Sequence, residues 1–517
     1  MNAVELSLFA HRLNAVCDEM GAVLRRTALS PNIKDREDYS CALFDAEGEL
    51  VAQAAHIPVH LGSMAYCMRD VVRSLDWHAG DVVIFNDPFL GGTHLPDITL
   101  VEPVLHEDRL LGFAASRAHH ADVGGSTAGS MGIHARLADE GVVISPRHWW
   151  REGVEDTACL GEFLQRVRNA DERLADLAAQ RAACASGVRR LLELDRAMPC
   201  RTGFDKLLSA SEAYGRQAVG AIPDGDYRFS DVLEDDGMGA RDLPVHVHIR
   251  IRGESAQVDF AGTAGQCQGP LNCPLSVTAA AVFYAFRCLM PRHTPQTSAI
   301  FRCIELRAPQ GCIVNASPGA AVAAGNVETS QRIVDVVLGA LAQAVPGRIP
   351  AAAQGTMNNV IFSGHSADRP WVYYETLGGG MGAHSDGDGL SAVQCHMTNT
   401  RNTSIEVLEM HYPLRITEYA VRRGSGGPGG HRGGDGLCRE WQAVADCQVS
   451  LLSERRSTQP YGLHGGKPGA SGRNILLHDG MQRELAAKTT LTLAAGDRLR
   501  IETPGGGGFG KEDKESG

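Results

Sequence analysis

Glycine is gathered in runs, and where the runs lie a helix is excluded. Gly424 to Gly436 reads GSGGPGGHRGGDG, Gly462 to Lys467 reads GLHGGK, and Gly505-Gly506-Gly507-Gly508 is unbroken. Each glycine in a helix interior costs ~1 kcal/mol relative to alanine, because the chain has more freedom to lose. From about residue 415 short strand-like stretches alternate with these runs, which predicts an all-β C-terminal part. The last stretch, Thr503 to Gly517, turns from Gly-rich to charged and is expected to fray.

Upstream the periodicities differ. Val4, Leu8, Leu13, Val16, Met20, Val23 and Leu24 recur at helical spacing, which predicts an amphipathic helix over residues 3–28. Strands are expected at Ser40–Asp45 and Glu49–Gln53 across an Ala-Glu-Gly turn, at Asp81–Phe85 and at Ile98–Leu105. Residues 169–200 read as helical, Ile222 to Tyr227 opens a strand-rich stretch to about 265, and a helix is expected from Glu328 to Ala344. At 517 residues the chain exceeds a single core and suggests about three domains of ~150 residues. The expected fold is mixed α/β of the α+β kind and multi-domain, with an N-terminal α/β region at 1–220, a central α+β region at 221–414 and a β-rich, Gly-rich region at 415–517.

Charge and cysteine usage narrow the class. With 49 Lys and Arg against 61 Asp and Glu, the formal charge is −12, and nucleic acid as a partner is excluded for want of a basic stripe. The fourteen cysteines include no C-x-x-C pair, and most sit in apolar runs as small buried thiols. No run of 18 uncharged apolar residues, the length a membrane span needs, is present. A reduced, cytoplasmic protein is expected.

Two groups of metal-type ligands stand out in the N-terminal region: Thr93-His94-Leu95-Pro96-Asp97 and Ala118-His119-His120-Ala121-Asp122. Imidazole with carboxylate is the donor set of Zn, Mn or Fe sites that keep a position open. Leu95-Pro96 makes a turn that can aim His94 and Asp97 the same way, with Thr93 or Asn86-Asp87 behind them. His119 and His120 point to opposite faces of an extended segment, so one is expected to ligate and the other to orient it or touch substrate. Asp38 is a carboxylate candidate from a separate segment; His148, His246 and His248 are weaker ones. There is no H-E-x-x-H and no G-x-S-x-G elbow. In GLHGGK the first glycine lies one residue too close for a P-loop, and Pro468 replaces the hydroxyl that would bind magnesium. Water activated by a divalent ion is the simplest chemistry left.

These residues sit in long words that resemble the hydantoinase B family, the B-type subunits of ATP-dependent hydantoinases and oxoprolinases. The words include Arg36 to Asp45 (REDYSCALFD), His56 to Met64 (HIPVHLGSM), Asn86 to Asp97, His119 to Gly125 (HHADVGG), Gly325 to Arg332 (GNVETSQR), Gln354 to Asn359, His396 to Thr403 and Ser453 to Arg456, spread along nearly the whole chain. The resemblance implies a hetero-oligomer with an A-type subunit that binds ATP-Mg and phosphorylates the carbonyl oxygen of a small cyclic amide. This chain would bind no ATP of its own, in keeping with the missing P-loop. The ring would be hydantoin or its N-methyl derivative, 5-oxoproline or another lactam, and this chain would hold the divalent metal and complete ring opening. By motif position the ligands would be His94, Asp97 and His119, with Asp38 a further one.

His120 or Asp122 would shuttle the proton to the leaving nitrogen, and His60 would act near the site. Asn358, Asn359, Asn399 and Arg401 are candidates to hydrogen-bond the ring's polar edges. Related acetone and acetophenone carboxylases imply an alternative, a carboxylase subunit, and a non-catalytic structural subunit is a third reading. The chain stops soon after Gly510 without an ATP-binding half, so a separate partner is expected rather than a fused oxoprolinase.

Overall fold

The computed structural model describes residues 1–54, 57–366 and 369–512. Its architecture is mixed α/β and multi-domain. The first sheet has the strands β1 Tyr39–Asp45, β2 Leu50–Gln53, β3 Val82–Phe85, β4 Asp97–His106, β5 Arg109–His119, β6 Arg147–Arg151 and β7 Val154–Glu155. Their order is β2-β1-β5-β4-β3-β6-β7, antiparallel throughout.

Every residue of β1 is buried because helices cover both faces of this sheet. Side chains alternate between faces along a strand. Cys41 and Leu43 therefore meet Phe9, Leu13 and Met20 of helix α1 (Ala3–Thr27), while Ala42 and Phe44 meet Met64, Met68 and Val71 of helix α2 (Pro58–Arg73). Asn2 and Glu5 form a reciprocal capping box that starts α1. Helices α3 (Ala170–Ala197) and α4 (Cys200–Gly220) share the core on the α1 side.

A second sheet, of β8 Gly225–Asp235, β9 Arg241–Arg252, β10 Ser255–Asp259 and β11 Ile304–Arg307, packs against helices α5 (Leu275–Cys288) and α6 (Ser330–Ala344). The third has the order β13-β12-β16-β19, from β12 Asn359–Ser366, β13 Arg369–Glu375, β16 Cys447–Leu452 and β19 Lys488–Leu493. It takes strands from both sides of residue 415. It faces a fourth sheet of β14 Leu414–Arg422, β15 Gly436–Ala443, β17 Arg473–His478, β18 Met481–Leu485 and β20 Arg498–Glu502 across a core holding Phe362, Tyr373, Trp441 and Val449.

The glycine runs serve packing more than turning. Gly380, Gly434, Gly506 and Gly427 stack backbone on backbone: Gly380 N–H donates to Pro504 O, Gly506 N–H to Gly434 O and Gly427 N–H to Gly506 O, at 2.8–3.0 Å. A methyl on Gly506 would stand 2.1 Å from Met381 O, and one on Gly380 would stand 2.0 Å from Gly434 O. Only glycine fits where extended chains close to this spacing. Over Thr503 through Gly508 the expected fraying fails for this reason, since that stretch is buried in the stack; residues 513–517 of the same expectation lie outside the described residues. GLHGGK is part of the same packing, with Lys467 N–H on Pro428 O.

Helices α2 and α5 and strands β12 and β13 go beyond the elements expected from the sequence. Helix α5 is apolar nearly all round because most of it is buried in the core, so it has no polar face to mark its turns. His60 lies in the first helical turn of α2, behind Pro58 at the helix start.

Candidate metal centre

Three adjacent strands bring the ligand candidates to one end of the first sheet. Asp97 opens β4 and His119 closes β5, and the two are direct partners across the antiparallel ladder. Asp38 immediately precedes β1, and its carbonyl accepts the backbone N–H of His119 at 3.0 Å. Ser40, Ala42 and Phe44, which alternate with Asp38, face α2, as do Val101 on β4 and Ala115 on β5, which share parity with Asp97 and His119. All three side chains are thus directed to the α2 face, and His94 reaches them from the loop before β4.

His94, Asp97 and His119 are buried, and their ligand atoms lie within 4.8 Å of one another. Asp97 Oδ1 stands 3.1 Å from His94 Nε2 and 3.3 Å from His119 Nδ1. Neither Asp97 Oδ1 nor His94 Nε2 has a hydrogen-bond partner among the described residues. Buried polar atoms are ordinarily paired, so two convergent unpartnered atoms in one cluster fit the donor set of a divalent cation. The other carboxylate oxygen, Oδ2, is anchored: Thr93 Oγ1 donates to it at 2.5 Å, Asn326 Nδ2 at 3.4 Å, and His60 Nε2 lies at 3.2 Å. His94 Nδ1 faces Ala323 O at 3.4 Å, which favours the tautomer whose Nε2 lone pair points into the cluster.

Burial would push the Asp97 carboxyl up, but the imidazoles of His60, His94 and His119 outweigh it and hold the group well below the usual carboxylate range. Burial pushes His119 down, against the pull of Asp97, so its ring is kept neutral and ligand-competent. His119 also stacks on Tyr374, with centroids 4.8 Å apart, and the Arg36 guanidinium lies 4.5 Å from the ring centre of that tyrosine. Tyr374 Oη donates to Asn359 Oδ1 and Asn359 Nδ2 to Glu328 Oε1, each at 2.8 Å.

Below the cluster, buried Arg117 donates to Thr99 Oγ1, Ser63 Oγ and Gly91 O, each at 2.7 Å. It ties the strands to α2 and to the loop that carries His94. Asn86 braces the far side of that loop, donating to Leu95 O at 2.9 Å. Glu140 accepts the N–H groups of Val322 and Ala323, fixing the segment against which His94 rests.

The remaining candidates divide. His60 is at the cluster, with Ser40 Oγ 3.3 Å from its Nδ1, and Asp38 Oδ1 lies 3.9 Å from its Nε2. His120 turns to the opposite face, where its Nε2 meets Gln180 Oε1 of α3 at 2.9 Å, and burial pushes its pKa down to about 4. Asp122 is engaged elsewhere, accepting from the N–H groups of Gly124, Gly129 and Arg168 and pairing with the Arg168 guanidinium at 2.8 Å.

Asn358 spends its amide on Gln354, Leu377 O and Arg456. Asn359 reaches the cluster only through Tyr374. Asn399 lines a cavity of about 300 Å³ with Phe283, Tyr284 and Phe301. Pro58 and Gly62 of α2 line the same cavity, while His60 between them projects from another side of the helix. Arg401 is surface-exposed and pairs with Glu37 at 3.3 Å. His148 and His248 bond Asp76 O and Asp226 respectively, apart from the cluster. Reading the sequence singly had passed over Tyr374, Asn326, Arg117 and Glu140; of these, only Asn326 falls in one of the family-like words.

The sequence profile described as hydantoinase B/oxoprolinase matches residues 2–512. An uncharacterized protein of Methanocaldococcus jannaschii is 40% identical over 99% of this chain and 91% of its own length. The 5-oxoprolinase 1 of Arabidopsis thaliana is 39% identical over 98% of this chain, which spans only 42% of that relative. A protein of Pseudomonas sp. (strain NS671), named as the B-type subunit of a D-/L-hydantoinase, is 32% identical over 96% of this chain and 88% of its own length. Among solved structures, the ATP-dependent caprolactamase of Pseudomonas jessenii superposes with TM-score 0.92 at 27% identity, covering 99% of this chain and 91% of its own. Nucleotide-free acetone carboxylase shares the fold, with TM-score 0.90 at 18% identity over 98% of this chain and 76% of its own.

Proposed function

The chain belongs to the hydantoinase B/oxoprolinase family, and from that premise we propose that it is the metal-holding, ring-opening component of an ATP-dependent cyclic amide hydrolase. The observation that carries the proposal is the convergence of His94 Nε2 and His119 on the unpartnered oxygen of Asp97. His94, Asp97 and His119 would hold a divalent Zn, Mn or Fe ion, with Asp38 a further ligand beside His60. A divalent ion there would supply Lewis acidity that brings deprotonation of water into the neutral range.

The amide itself is resonance-stabilised and a poor electrophile. A separate A-type partner in a hetero-oligomer would transfer a phosphoryl group from ATP-Mg to the carbonyl oxygen. Water then adds to the activated carbon, the C–N bond breaks, the nitrogen leaves as an amine, and an acyl phosphate remains. A second water converts it to carboxylate and phosphate. His60, whose Nε2 lies 3.2 Å from Asp97 Oδ2, would pass a proton to the leaving nitrogen. Thr93 fixes Asp97, and Tyr374 fixes the plane of His119.

The test combines this chain with its A-type partner and measures ATP hydrolysis with hydantoin, N-methylhydantoin, 5-oxoproline, ε-caprolactam and the ketone acetophenone, each with and without bicarbonate. Ring-dependent turnover without bicarbonate is expected. Turnover that requires bicarbonate and a ketone would overturn the hydrolase in favour of a carboxylase.

A further inference from the structure

Residues Gly325–Thr329 form a π-helical turn leading into α6. Such turns insert a residue into a helix and recur at functional sites. Gly325 holds this one tight: a Cβ there would stand 1.9 Å from Asn272 O. The turn delivers Asn326 to the metal centre, where it is 3% exposed and its Nδ2 donates to Asp97 Oδ2. Because a carboxylate only accepts, that contact also assigns the amide's orientation. The Asn326 Oδ1 is buried and has no hydrogen-bond partner among the described residues. A neutral acceptor therefore stands beside the cluster, held by the ligand carboxylate itself.

A small ring holds its amide cis, so the carbonyl oxygen and the N–H lie along one edge. A site that receives the carbonyl carbon at the cluster needs an acceptor alongside for the N–H. Resting on the cyclic amide reading above, we infer that Asn326 is the specificity-determining residue that accepts the ring N–H of the scissile amide. Phosphorylation at oxygen leaves the hydrogen on nitrogen, as an iminium N–H that donates more strongly than the parent amide. Asn326 Oδ1 then favours the N-protonated, more electrophilic form. After C–N cleavage the nitrogen keeps that hydrogen and gains one more as the amine. A ring alkylated at the scissile nitrogen offers no donor, and it leaves the acceptor buried and unpaired.

The experiment uses the chain assembled with its partner and three substrate pairs: hydantoin and 3-methylhydantoin, 5-oxoproline and its N-methyl derivative, ε-caprolactam and N-methylcaprolactam. Ring-dependent ATP turnover and equilibrium binding by calorimetry are both read. For whichever parent ring is turned over, the N-methyl member is expected to fall by about 100-fold or more in kcat/KM and to bind more weakly. Asn326→Leu should lower kcat/KM for the parent and bring the pair within about tenfold, with divalent-metal content unchanged because Thr93 still anchors Asp97. If that variant loses metal or fails to fold, the wild-type ratio decides alone. An N-methyl ring that binds and turns over like its parent overturns the role of Asn326 and leaves the hydrolase standing. Absence of turnover with every ring overturns the hydrolase reading, and this inference with it.

Discussion

Asp97 divides its oxygens between two tasks, and the division explains which side chains surround it. Oδ1 is left bare toward His94 and His119, while Oδ2 is tied by Thr93 and Asn326. His94→Ala is expected to abolish bound metal, by elemental analysis, and ring-driven ATP turnover while leaving the circular dichroism of the chain unchanged. Thr93→Val keeps the ligands but removes the shorter of the two hydrogen bonds that hold Oδ2, and metal affinity by competition with a chelator should fall about 10- to 100-fold. Glu140 makes a pH prediction. Its buried carboxyl is pushed up to about 8 from an ordinary 4.5, so the folded chain binds that proton more tightly than the unfolded one. The ionised group then costs stability progressively as pH rises from about 4.5, and fully above about 8. Glu140→Gln should therefore melt at a temperature that rises relative to wild type between the acidic and the alkaline end of that window, a difference scanning calorimetry reads.

At the scale of elements, parity does the sorting. His119 and His120 are neighbours in sequence, yet β5 sends one to the α2 face and the metal cluster and the other to α3 and Gln180. Opposite faces for the pair followed from the period of an extended chain; which face gathers His94, Asp97 and His119 did not, because it depends on where α2 packs. The glycine stack is the second case. Its runs excluded helices legibly, but close approach of four distant segments cannot be read along one chain. Gly506→Ala should destabilise the chain by more than about 4 kcal/mol in urea unfolding, since the added methyl meets backbone that cannot yield. Gly480→Ala is the control: φ is +76° with open space around the added carbon, so only about 1 kcal/mol of backbone strain is expected.

At the scale of the whole molecule, a buried charge cluster joins the second and third sheets. Arg455 bonds Asp231 of β8 at 2.6 Å and Asp335 of α6 at 2.8 Å, while Arg332 bonds Asp231 and Lys488 of β19 bonds Glu454. Arg455→Met leaves the buried carboxylate of Asp335 and the half-buried one of Asp231 each short of a partner and should cost about 3 kcal/mol, read as a lower urea midpoint of the full chain. Their burial was not legible beforehand, because a charge in a sequence is a surface charge until the fold closes over it. By itself the sequence determined what depends on near neighbours: the N-terminal helix, the strands flanking the histidines, the β-rich C-terminal part, the family, and the two short segments that carry His94 with Asp97 and His119 with His120. Only the tertiary structure decided that Asp97 and His119 are cross-strand partners, that His120 and Asp122 are spent elsewhere, and that Tyr374 and Asn326 complete the centre from more than two hundred residues away. Local preference acts over one turn or one strand, whereas a site is assembled by contacts whose separation along the chain leaves no period to read.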